Sequence, residues 1–314
     1  MGNKVATREA YGKALVKLSN LNKDVVVLDA DLSKSTKTAD FKAVSPERFI
    51  NMGIAESNMM GVAAGLSTCG KIPFASTFAM FAAGRAFEQI RNSICYPNLN
   101  VKICATHAGL TVGEDGATHQ SIEDISLMRS IPNMTVINPA DDIETEAAIL
   151  AIAEYNGPCY VRLGRLAVST VNNIENYKFE IGKGVTLAEG NDVTIVATGL
   201  MVELALEAKK ELAKDGIDAR IINIHTIKPI DKELLANAAR ETGAIVTAEE
   251  HSIIGGLGSA VAEVLTEECP VPVLKVGIKD TFGESGKPNE LLKAYGLTVE
   301  AIVEHSKKAI SLKK

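Results

Sequence analysis

The sequence lacks several features that would assign it to a specialised class of protein. Its 314 residues include no tryptophan, and aromatic residues make up only 4% of them, which by itself excludes nothing. No apolar run approaches the roughly 18 residues of a membrane-spanning helix. The opening residues, MGNKVATREAYGKAL, also lack the apolar stretch of a signal peptide. We therefore expect neither a membrane protein nor a secreted one.

Cysteine is scarce and scattered. The five cysteines form no C-x-x-C pair, and their number is odd: Cys69, Cys95, Cys104, Cys159 and Cys269. This pattern fits neither a disulfide framework nor a zinc site, and it predicts a protein of the reducing cytoplasm.

Basic clusters are also missing. The net charge is -6, which argues against nucleic acids and membrane surfaces as partners. With 46% hydrophobic and 23% charged residues, the chain has the composition of an ordinary globular protein, and its length predicts about two domains.

Strands and helices are predicted to alternate along the first half of the chain. Residues 7–18 form an amphipathic helix with Thr7 as its expected N-cap. Apolar runs that predict buried strands lie at 24–31, 71–77, 100–107, 134–140 and 159–164, with helices at 81–94 and 141–155 between them. Continuous apolar strands separated by helices indicate a parallel sheet covered on both faces, an α/β fold.

The regular pattern stops within residues 166–190, which are polar and without a clear period. We predict a first domain at 1–175, a linker at 176–190 and a second α/β domain at 191–314. The second domain has predicted strands at 192–199, 218–226, 244–250 and 271–278, and helices near 201–214, 231–241, 256–267 and 298–310.

Polar residues follow several predicted strands. In open parallel sheets, ligands gather at the carboxyl ends of the strands. The residues placed there are Asp29, Asp31, Glu56, His107, Arg162 and Arg165.

Glu56 is unusual because it begins the stretch ESNMMGVAAGL, whose apolar and small residues predict a helix buried on all sides. No lysine or arginine lies within several positions of it. Burying a carboxylate without a partner is costly, so this position indicates a function.

The segment HAGLTVGEDGATHQS, residues 107–121, combines two histidines with an acidic pair and three glycines. A simple surface loop is the commoner role of such a segment, and a metal site is disfavoured because the histidines are too far apart in sequence. We expect a polar clamp for a hydroxylated substrate, with His107 and His119 donating hydrogen bonds and Asp115 accepting one.

For the other candidate residues, a structural role is the alternative to ligand binding. Phe74, Phe78 and Phe81 either pack in the core or stack on a flat cofactor ring. Candidates for an anion pocket are Arg8, Ser35, Arg162 and Arg165, although a surface ion pair is the commoner role of a single arginine. The GGLGSA segment (255–260) has an incomplete dinucleotide fingerprint and is interpreted as a helix N-terminus packed on the sheet.

Taken in order, five segments make the chain resemble the C-terminal half of transketolase, a thiamine-diphosphate enzyme. They are ADLSKS (30–35), GIAE (53–56), STFAMF (76–81), THAGLTVGEDGATHQ (106–120) and IPNMTVINPAD (131–141). The resemblance implies a pyrimidine-binding domain followed by the transketolase C-terminal domain. It also implies ketol transfer from a ketose phosphate to an aldose phosphate through a carbanion on the cofactor.

The family's diphosphate and metal site, a G-D-G segment followed by paired asparagines, does not occur in this sequence. The resemblance therefore implies one subunit of a split transketolase in the pentose phosphate route. An N-terminal companion subunit would hold Mg²⁺ or Ca²⁺ and share the thiamine diphosphate. A heterotetramer with two copies of each chain is expected.

The resemblance also implies roles for single residues. Glu56 matches the glutamate that shares a proton with the aminopyrimidine ring; burial favours its neutral form, whereas the nearby helix N-terminus favours the charged one. Phe81 matches the stacking phenylalanine, with Phe78 beside it, and Asp31 matches an acid near the cofactor. The remaining matches concern the substrate: Arg8, Ser35, His107 and Arg165 at the sugar-phosphate end, with Arg162 as the alternative to Arg165, Asp115 at a hydroxyl and His119 near the reacting carbonyl.

This chain departs from the family pattern at two places. Full-length enzymes often have Arg-Glu-His where this chain has Ala55-Glu56-Ser57, and Gly84 stands where some have an aromatic ring. The alternatives are the β subunit of a 2-oxo acid dehydrogenase, a deoxyxylulose-phosphate synthase-like enzyme, and a non-catalytic partner subunit. The THAGLTVGEDG run favours transketolase, because those enzymatic relatives usually lack its first histidine.

Overall fold

The computed structural model describes residues 4–313, in which strands and helices alternate. The strands are β1 (Lys4–Ala6), β2 (Val25–Asp29), β3 (Phe49–Asn51), β4 (Ile72–Phe78), β5 (Lys102–Thr106), β6 (Thr135–Ile137), β7 (Cys159–Arg162), β8 (Ala167–Ser169), β9 (Val185–Ala188), β10 (Val193–Ala197), β11 (Ala219–Asn223), β12 (Thr226–Lys228), β13 (Ile245–Ser252) and β14 (Val273–Ile278). The helices are α1 (Thr7–Leu21), α2 (Ser33–Thr36), α3 (Thr38–Val44), α4 (Glu56–Thr68), α5 (Phe87–Gln89), α6 (Asp124–Ser130), α7 (Asp142–Glu154), α8 (Met201–Lys214), α9 (Lys232–Thr242), α10 (Leu257–Glu268), α11 (Pro288–Ala294) and α12 (Val299–Ser311). The predicted helix at 81–94 consists of α5 between two π-helical segments, Phe81–Arg85 and Ile90–Cys95.

Two mostly parallel sheets organise the described residues, which confirms the predicted α/β class. The first has the order β12-β6-β7-β5-β4-β2-β3, and the second has the order β14-β13-β10-β11-β9. Among the strands of residues 4–313, only β12 in the first sheet and β9 in the second run antiparallel to their neighbours. Because β12 follows the predicted linker, the first sheet takes one strand from the second half of the chain.

The irregular segment at 166–190 contains two short strands that were not predicted. Strand β8 pairs with β1, and β9 forms an edge of the second sheet. The predicted strand at 218–226 is divided into β11 and β12, which join different sheets. Short edge strands carry little periodicity, so a pattern of alternating residues does not reveal them.

Helices cover both faces of the first sheet. Helices α1 and α7 pack on one face, where Tyr11, Leu15, Ile149 and Ile152 are buried. Helix α4 covers the other face with Met59, Met60, Ala63 and Ala64. The prediction that α4 is buried on all sides was wrong, because Gly61 and Gly65 are exposed.

Side-chain hydrogen bonds lie at the start of two helices, α7 and α1. The Asp141 side chain accepts a hydrogen bond from Glu144 N, which caps α7. The prediction that Thr7 is the N-cap of α1 was wrong. Thr7 is the first helical residue, and its hydroxyl accepts a hydrogen bond from Gly164 N at 2.8 Å. That bond joins the start of α1 to the carboxyl end of β7.

Candidate active site

The carboxyl ends of β7, β5, β4, β2 and β3 lie side by side in the first sheet, and the polar residues at or after these ends form the candidate site. The longest connection follows β5 and is called here the β5 loop, residues 107–121. His107 begins it with a φ of 58°, and Gly109, Gly113 and Gly116 also have positive φ values. These backbone conformations suit glycine, and they let the loop turn sharply over the sheet edge.

His107 is held between an aromatic ring and a guanidinium group. Its ring stacks on Phe78 with 3.9 Å between the centroids, and its Nε2 lies 3.2 Å from Arg8 Nη1. Because Arg8 can only donate, Nε2 accepts this bond, and Nδ1–H donates to Thr106 Oγ1 at 2.9 Å. Burial, with help from the positive charges of Arg8 and Arg165, lowers the pKa of His107 to about 3. The imidazole is therefore neutral at physiological pH.

Arg8 and Arg165 place positive charge beside this histidine. Arg8 donates to the backbone carbonyl of Ser35 at 3.0 Å, and its Nε is buried without a hydrogen-bond partner. Arg165 donates to the carbonyl of Val112 and lies 3.6 Å from Glu114. Burial lowers the pKa of Arg8, and the repulsion from Arg165 acts in the same direction. Two guanidinium groups that repel each other would be stabilised by an anion between them.

Arg162 has different surroundings from the other arginines. It is only 4% exposed, and its Nε donates to both carboxylate oxygens of Asp124, at 2.9 and 3.2 Å. Its Nη2 donates to the carbonyls of Ser121 and Glu250. Arg165, the alternative, keeps 38% of its side chain exposed. The geometry therefore favours Arg165 as the partner of Arg8 in an anion pocket.

Three rings form a wall next to this pocket. Phe78 and Phe81 stack with 6.0 Å between their centroids, and His119 meets Phe81 edge-on at 5.3 Å. The predicted loop residues do come near the aromatic pair, since His119 is also 6.5 Å from Phe78. Asp115 lies further out, exposed at the tip of the β5 loop. Phe74, by contrast, is fully buried in the core, as its structural alternative predicted.

Glu56 has a partner that the sequence analysis missed. The carboxylate is 2% exposed and accepts two hydrogen bonds from Arg85 Nη1, at 3.0 and 2.9 Å. The Arg85 guanidinium also lies 4.6 Å from the Phe81 ring centroid. The four-residue spacing between Phe81 and Arg85 was a signal in the sequence for the contact of these two side chains, because it places both on one side of a helical turn. It did not point to Glu56.

The two acids at the carboxyl end of β2 have separate roles. Asp29 is buried and accepts hydrogen bonds from Leu32 N, Thr36 Oγ1 and Thr38 Oγ1. Burial raises the pKa of Asp29, while these hydrogen bonds lower it. Asp31 is exposed, has a φ of 64° and accepts a hydrogen bond from Asn51. Asp29 thus shapes the turn, and Asp31 is the acid that a ligand can reach.

These residues fit one end of thiamine diphosphate. A buried carboxylate and an aromatic face, joined here by the Arg85 guanidinium, are chemically suitable partners for an aminopyrimidine ring, which has both a basic nitrogen and a flat surface. These residues do not form a metal site: within residues 4–313, no group of three histidine, cysteine or acidic side chains is placed to hold an ion.

Comparisons with known proteins agree with this geometry. Residues 3–170 match the family model "Transketolase, pyrimidine binding domain", and residues 182–302 match "Transketolase, C-terminal domain". A putative transketolase C-terminal section of Methanocaldococcus jannaschii is 54% identical over 299 residues, covering 95% of this chain and 94% of that protein. Human transketolase is 38% identical over 307 residues, which is 97% of this chain and 49% of the human protein.

The solved structures give the same result. A structure described as "Split gene transketolase, inactive beta4 tetramer" superposes with a TM-score of 0.93 at 63% identity, covering 99% of this chain and 100% of that one. The chain belongs to the transketolase family and corresponds to its pyrimidine-binding and C-terminal domains.

Proposed function

We propose that this chain is the C-terminal subunit of a split transketolase. With a companion subunit and thiamine diphosphate, it transfers a two-carbon ketol unit from a ketose phosphate to an aldose phosphate. The observation that carries the proposal is the placement of Glu56 and Phe81 at one sheet edge, beside the pocket of Arg8, His107 and Arg165. A cofactor ring and an anionic substrate tail would both find suitable partners there.

In this proposal each side chain has a defined task. When bound, thiamine diphosphate supplies the carbon nucleophile and the electron sink for cleavage of a carbon–carbon bond. Glu56 would hold a proton at the ring nitrogen, while Phe81 and Phe78 orient the ring by stacking. Asp31 lies at the same edge as a further polar contact.

The substrate would be bound through charge and hydrogen bonds. Arg8 and Arg165 would attract the anionic tail, with Ser35 at the same end of the pocket. His107 is neutral and adds no charge to the pocket; its Nε2 accepts from Arg8 and so would hold that guanidinium group in place for the tail. Asp115 would accept a hydrogen bond from a sugar hydroxyl, and His119, beside the Phe81 ring, would contact the reacting carbonyl.

Two relatives are named for sugars that carry different anionic groups. One relative, 46% identical over 296 residues, is named as part of a 6-deoxy-6-sulfo-D-fructose transketolase. Another, 39% identical over 300 residues, is named as part of an apulose-4-phosphate transketolase. Guanidinium groups bind sulfonate as well as phosphate, so both substrate classes belong in the assay.

A companion chain is the second element of the proposal. The sequence has no G-D-G segment with paired asparagines, so Mg²⁺ or Ca²⁺ and the diphosphate would be held by an N-terminal subunit. We propose a cytoplasmic heterotetramer with two copies of each chain. The five cysteines have free thiols, and within residues 4–313 no helix is long and apolar enough to cross a membrane. Because the ligands of the diphosphate and the metal ion would lie on the companion subunit, the isolated chain should bind thiamine diphosphate only weakly, which calorimetry can measure.

The decisive experiment is an assay of the reconstituted pair. Xylulose 5-phosphate with ribose 5-phosphate is compared with pyruvate and glyceraldehyde 3-phosphate. Turnover of the sugar phosphates alone supports transketolase, whereas consumption of pyruvate alone would indicate a 2-oxo acid or deoxyxylulose-phosphate enzyme.

A variant separates catalysis from passive assembly. Glu56→Gln should abolish turnover while the two chains still co-elute, and Glu207→Gln, on the exposed side of α8, should change neither. Near-normal activity of the Glu56 variant would instead indicate a non-catalytic partner subunit.

A further inference from the structure

The end of β13, in the second sheet, is hydrogen-bonded to the β5 loop and its continuation. Glu250 Oε1 accepts from Thr111 N at 2.7 Å, and His251 Nε2 accepts from Ser126 N at 3.3 Å. Ser252 N donates to the Ile122 carbonyl at 2.7 Å. Three consecutive residues of the C-terminal domain therefore hold the segment that begins at His107.

Glu250 lies directly beneath the loop backbone. Gly109 has a φ of 82°, and a Cβ added there would come within 2.3 to 2.5 Å of the Glu250 carboxyl group. The Glu250 carboxyl group therefore packs directly against the loop backbone at Gly109 and binds Thr111 N two residues later. Moving it would displace Gly109 and Thr111 together.

Arg162 fixes Glu250 from the side of the first sheet. Its Nη2 donates to the Glu250 carbonyl at 2.9 Å, and its Nη1 lies 4.0 Å from Glu250 Oε2. Asp124 accepts from Nε of the same guanidinium group. Arg162, which sequence analysis offered as a phosphate ligand, thus connects the two domains.

A second attachment lies at the other end of the loop. Gln120 Nε2 donates to the carbonyls of Leu110 at 3.2 Å, Gly113 at 3.3 Å and Glu284 at 2.9 Å. The part of the loop between these attachments contains Asp115 and His119. Both ends of the candidate substrate-binding segment are therefore held by residues of the C-terminal domain.

We propose that the C-terminal domain positions the β5 loop for substrate binding and that Glu250 is the positioning residue. The substrate-binding role of the loop rests on the proposed function, whereas the attachment of the loop is independent of it. Glu250 does not touch the candidate substrate pocket. It acts through Thr111 and Gly109 on the placement of His107, Asp115 and His119.

Glu249 provides a matched control. It is also buried, but it faces into the C-terminal domain, where it accepts hydrogen bonds from Leu257 N and Gly258 N at the start of α10. A change at Glu249 should loosen α10 and leave the β5 loop in place.

Hydrogen exchange on the intact chain tests the positioning without any assay of activity. In Glu250→Ala, amide exchange in residues 108–113 should rise at least tenfold relative to the wild type. Burial raises the pKa of Glu250 to about 7, so the comparison is made well above pH 7, where the wild-type carboxyl group is ionised. In Glu250→Gln the rise should be severalfold, because the amide oxygen can still accept from Thr111 but without the charge that strengthens the bond. Glu249→Gln should raise exchange at 256–260 only.

Unchanged loop exchange in both folded Glu250 variants would overturn the proposal. If Glu250→Ala does not fold, Glu250→Gln decides alone: a severalfold rise supports the proposal and no rise refutes it. In the reconstituted enzyme, Glu250→Gln should raise KM for the sugar phosphate while kcat stays within about threefold. A loss of kcat of more than about threefold without a change in KM would also contradict a positioning role. If the wild-type pair has no transketolase activity, the proposed function fails while the exchange result still stands.

Discussion

Arg85 donates two hydrogen bonds to the carboxylate of Glu56, and the two partners differ greatly in exposure. The guanidinium-bearing side chain is 52% exposed, whereas that of Glu56 is 2% exposed. The same guanidinium lies over the Phe81 ring. One surface arginine therefore contacts both residues that are proposed to bind the aminopyrimidine ring.

Arg85→Ala should lower the free energy of unfolding by about 1–2 kcal/mol, because it leaves a buried carboxylate without its partner. The value lies below that of a fully buried pair because water screens the exposed side of Arg85. In a Glu56→Gln background the same substitution should cost less than about 0.5 kcal/mol. Urea denaturation of the four proteins in this cycle gives the coupling energy; equal costs in both backgrounds would show that the pair contributes nothing.

Arg8→Ala should weaken binding of phosphorylated ketoses selectively. Loss of a charged hydrogen bond to the substrate tail corresponds to a rise of about 10- to 100-fold in KM for xylulose 5-phosphate. KM for unphosphorylated xylulose should change by less than about threefold, since no tail charge is involved. Arg240→Ala, which removes an exposed arginine of α9, is the control. Equal changes for both ketoses would contradict an anion pocket at Arg8.

His225 should make the protein less stable in acid. Burial lowers the pKa of His225 to about 4, although Asp231 acts in the opposite direction. An unfolded histidine has a pKa near 6.5, so below that pH the unfolded chain takes up a proton that the folded chain does not. The stability contributed by the neutral imidazole is complete above about pH 6.5 and is lost as the pH falls toward 4.

His225→Gln should therefore reduce the loss of stability between pH 7.5 and pH 5 by about 2 kcal/mol. Wild-type data alone are insufficient, because other buried groups titrate as well. The stability contributed by His107 and His251 is also lost as the pH falls, because burial lowers the pKa of both. Burial raises the pKa of three acids to about 7, so the stability that they contribute is lost as the pH rises: Glu144, Glu249 and Glu250. Urea denaturation at both pH values provides the comparison. Thr226→Val, which removes only the hydroxyl partner of His225, should keep the wild-type difference; the same difference in His225→Gln would refute the assignment.

Two glycine substitutions should have opposite effects on stability. At Gly256, before α10, a Cβ would lie 2.1 Å from Glu249 Oε2 and 2.6 Å from His251 Nδ1, so Gly256→Ala should cost about 1–3 kcal/mol. At Gly65, exposed in α4, a Cβ meets nothing within 4 Å, and Gly65→Ala should add about 0.5–1 kcal/mol. Thermal unfolding measures both, and a neutral Gly256→Ala would contradict the close packing predicted for GGLGSA.

Much of the fold was predictable because its signals are local. The apolar runs of β2, β5 and β10 and the spacing in α8 and α12 indicate their secondary structure within a few residues. The position of Asp31 and His107 at strand ends also followed from the sequence, since parallel strands place their carboxyl ends at one edge. The short strands β8, β9 and β12 were missed because each depends on a partner strand elsewhere in the chain.

The sequence by itself determined the α/β class, the candidate edge of the first sheet and most residues of the proposed site. Only the tertiary structure decided which charges meet: Arg85 with Glu56 across 29 positions, Arg162 with Asp124 across 38, and Glu250 with Thr111 across 139. Periodicity reports the faces of single helices and strands, whereas such pairs depend on how whole elements pack. The partners of buried charges therefore become visible only after the chain has folded.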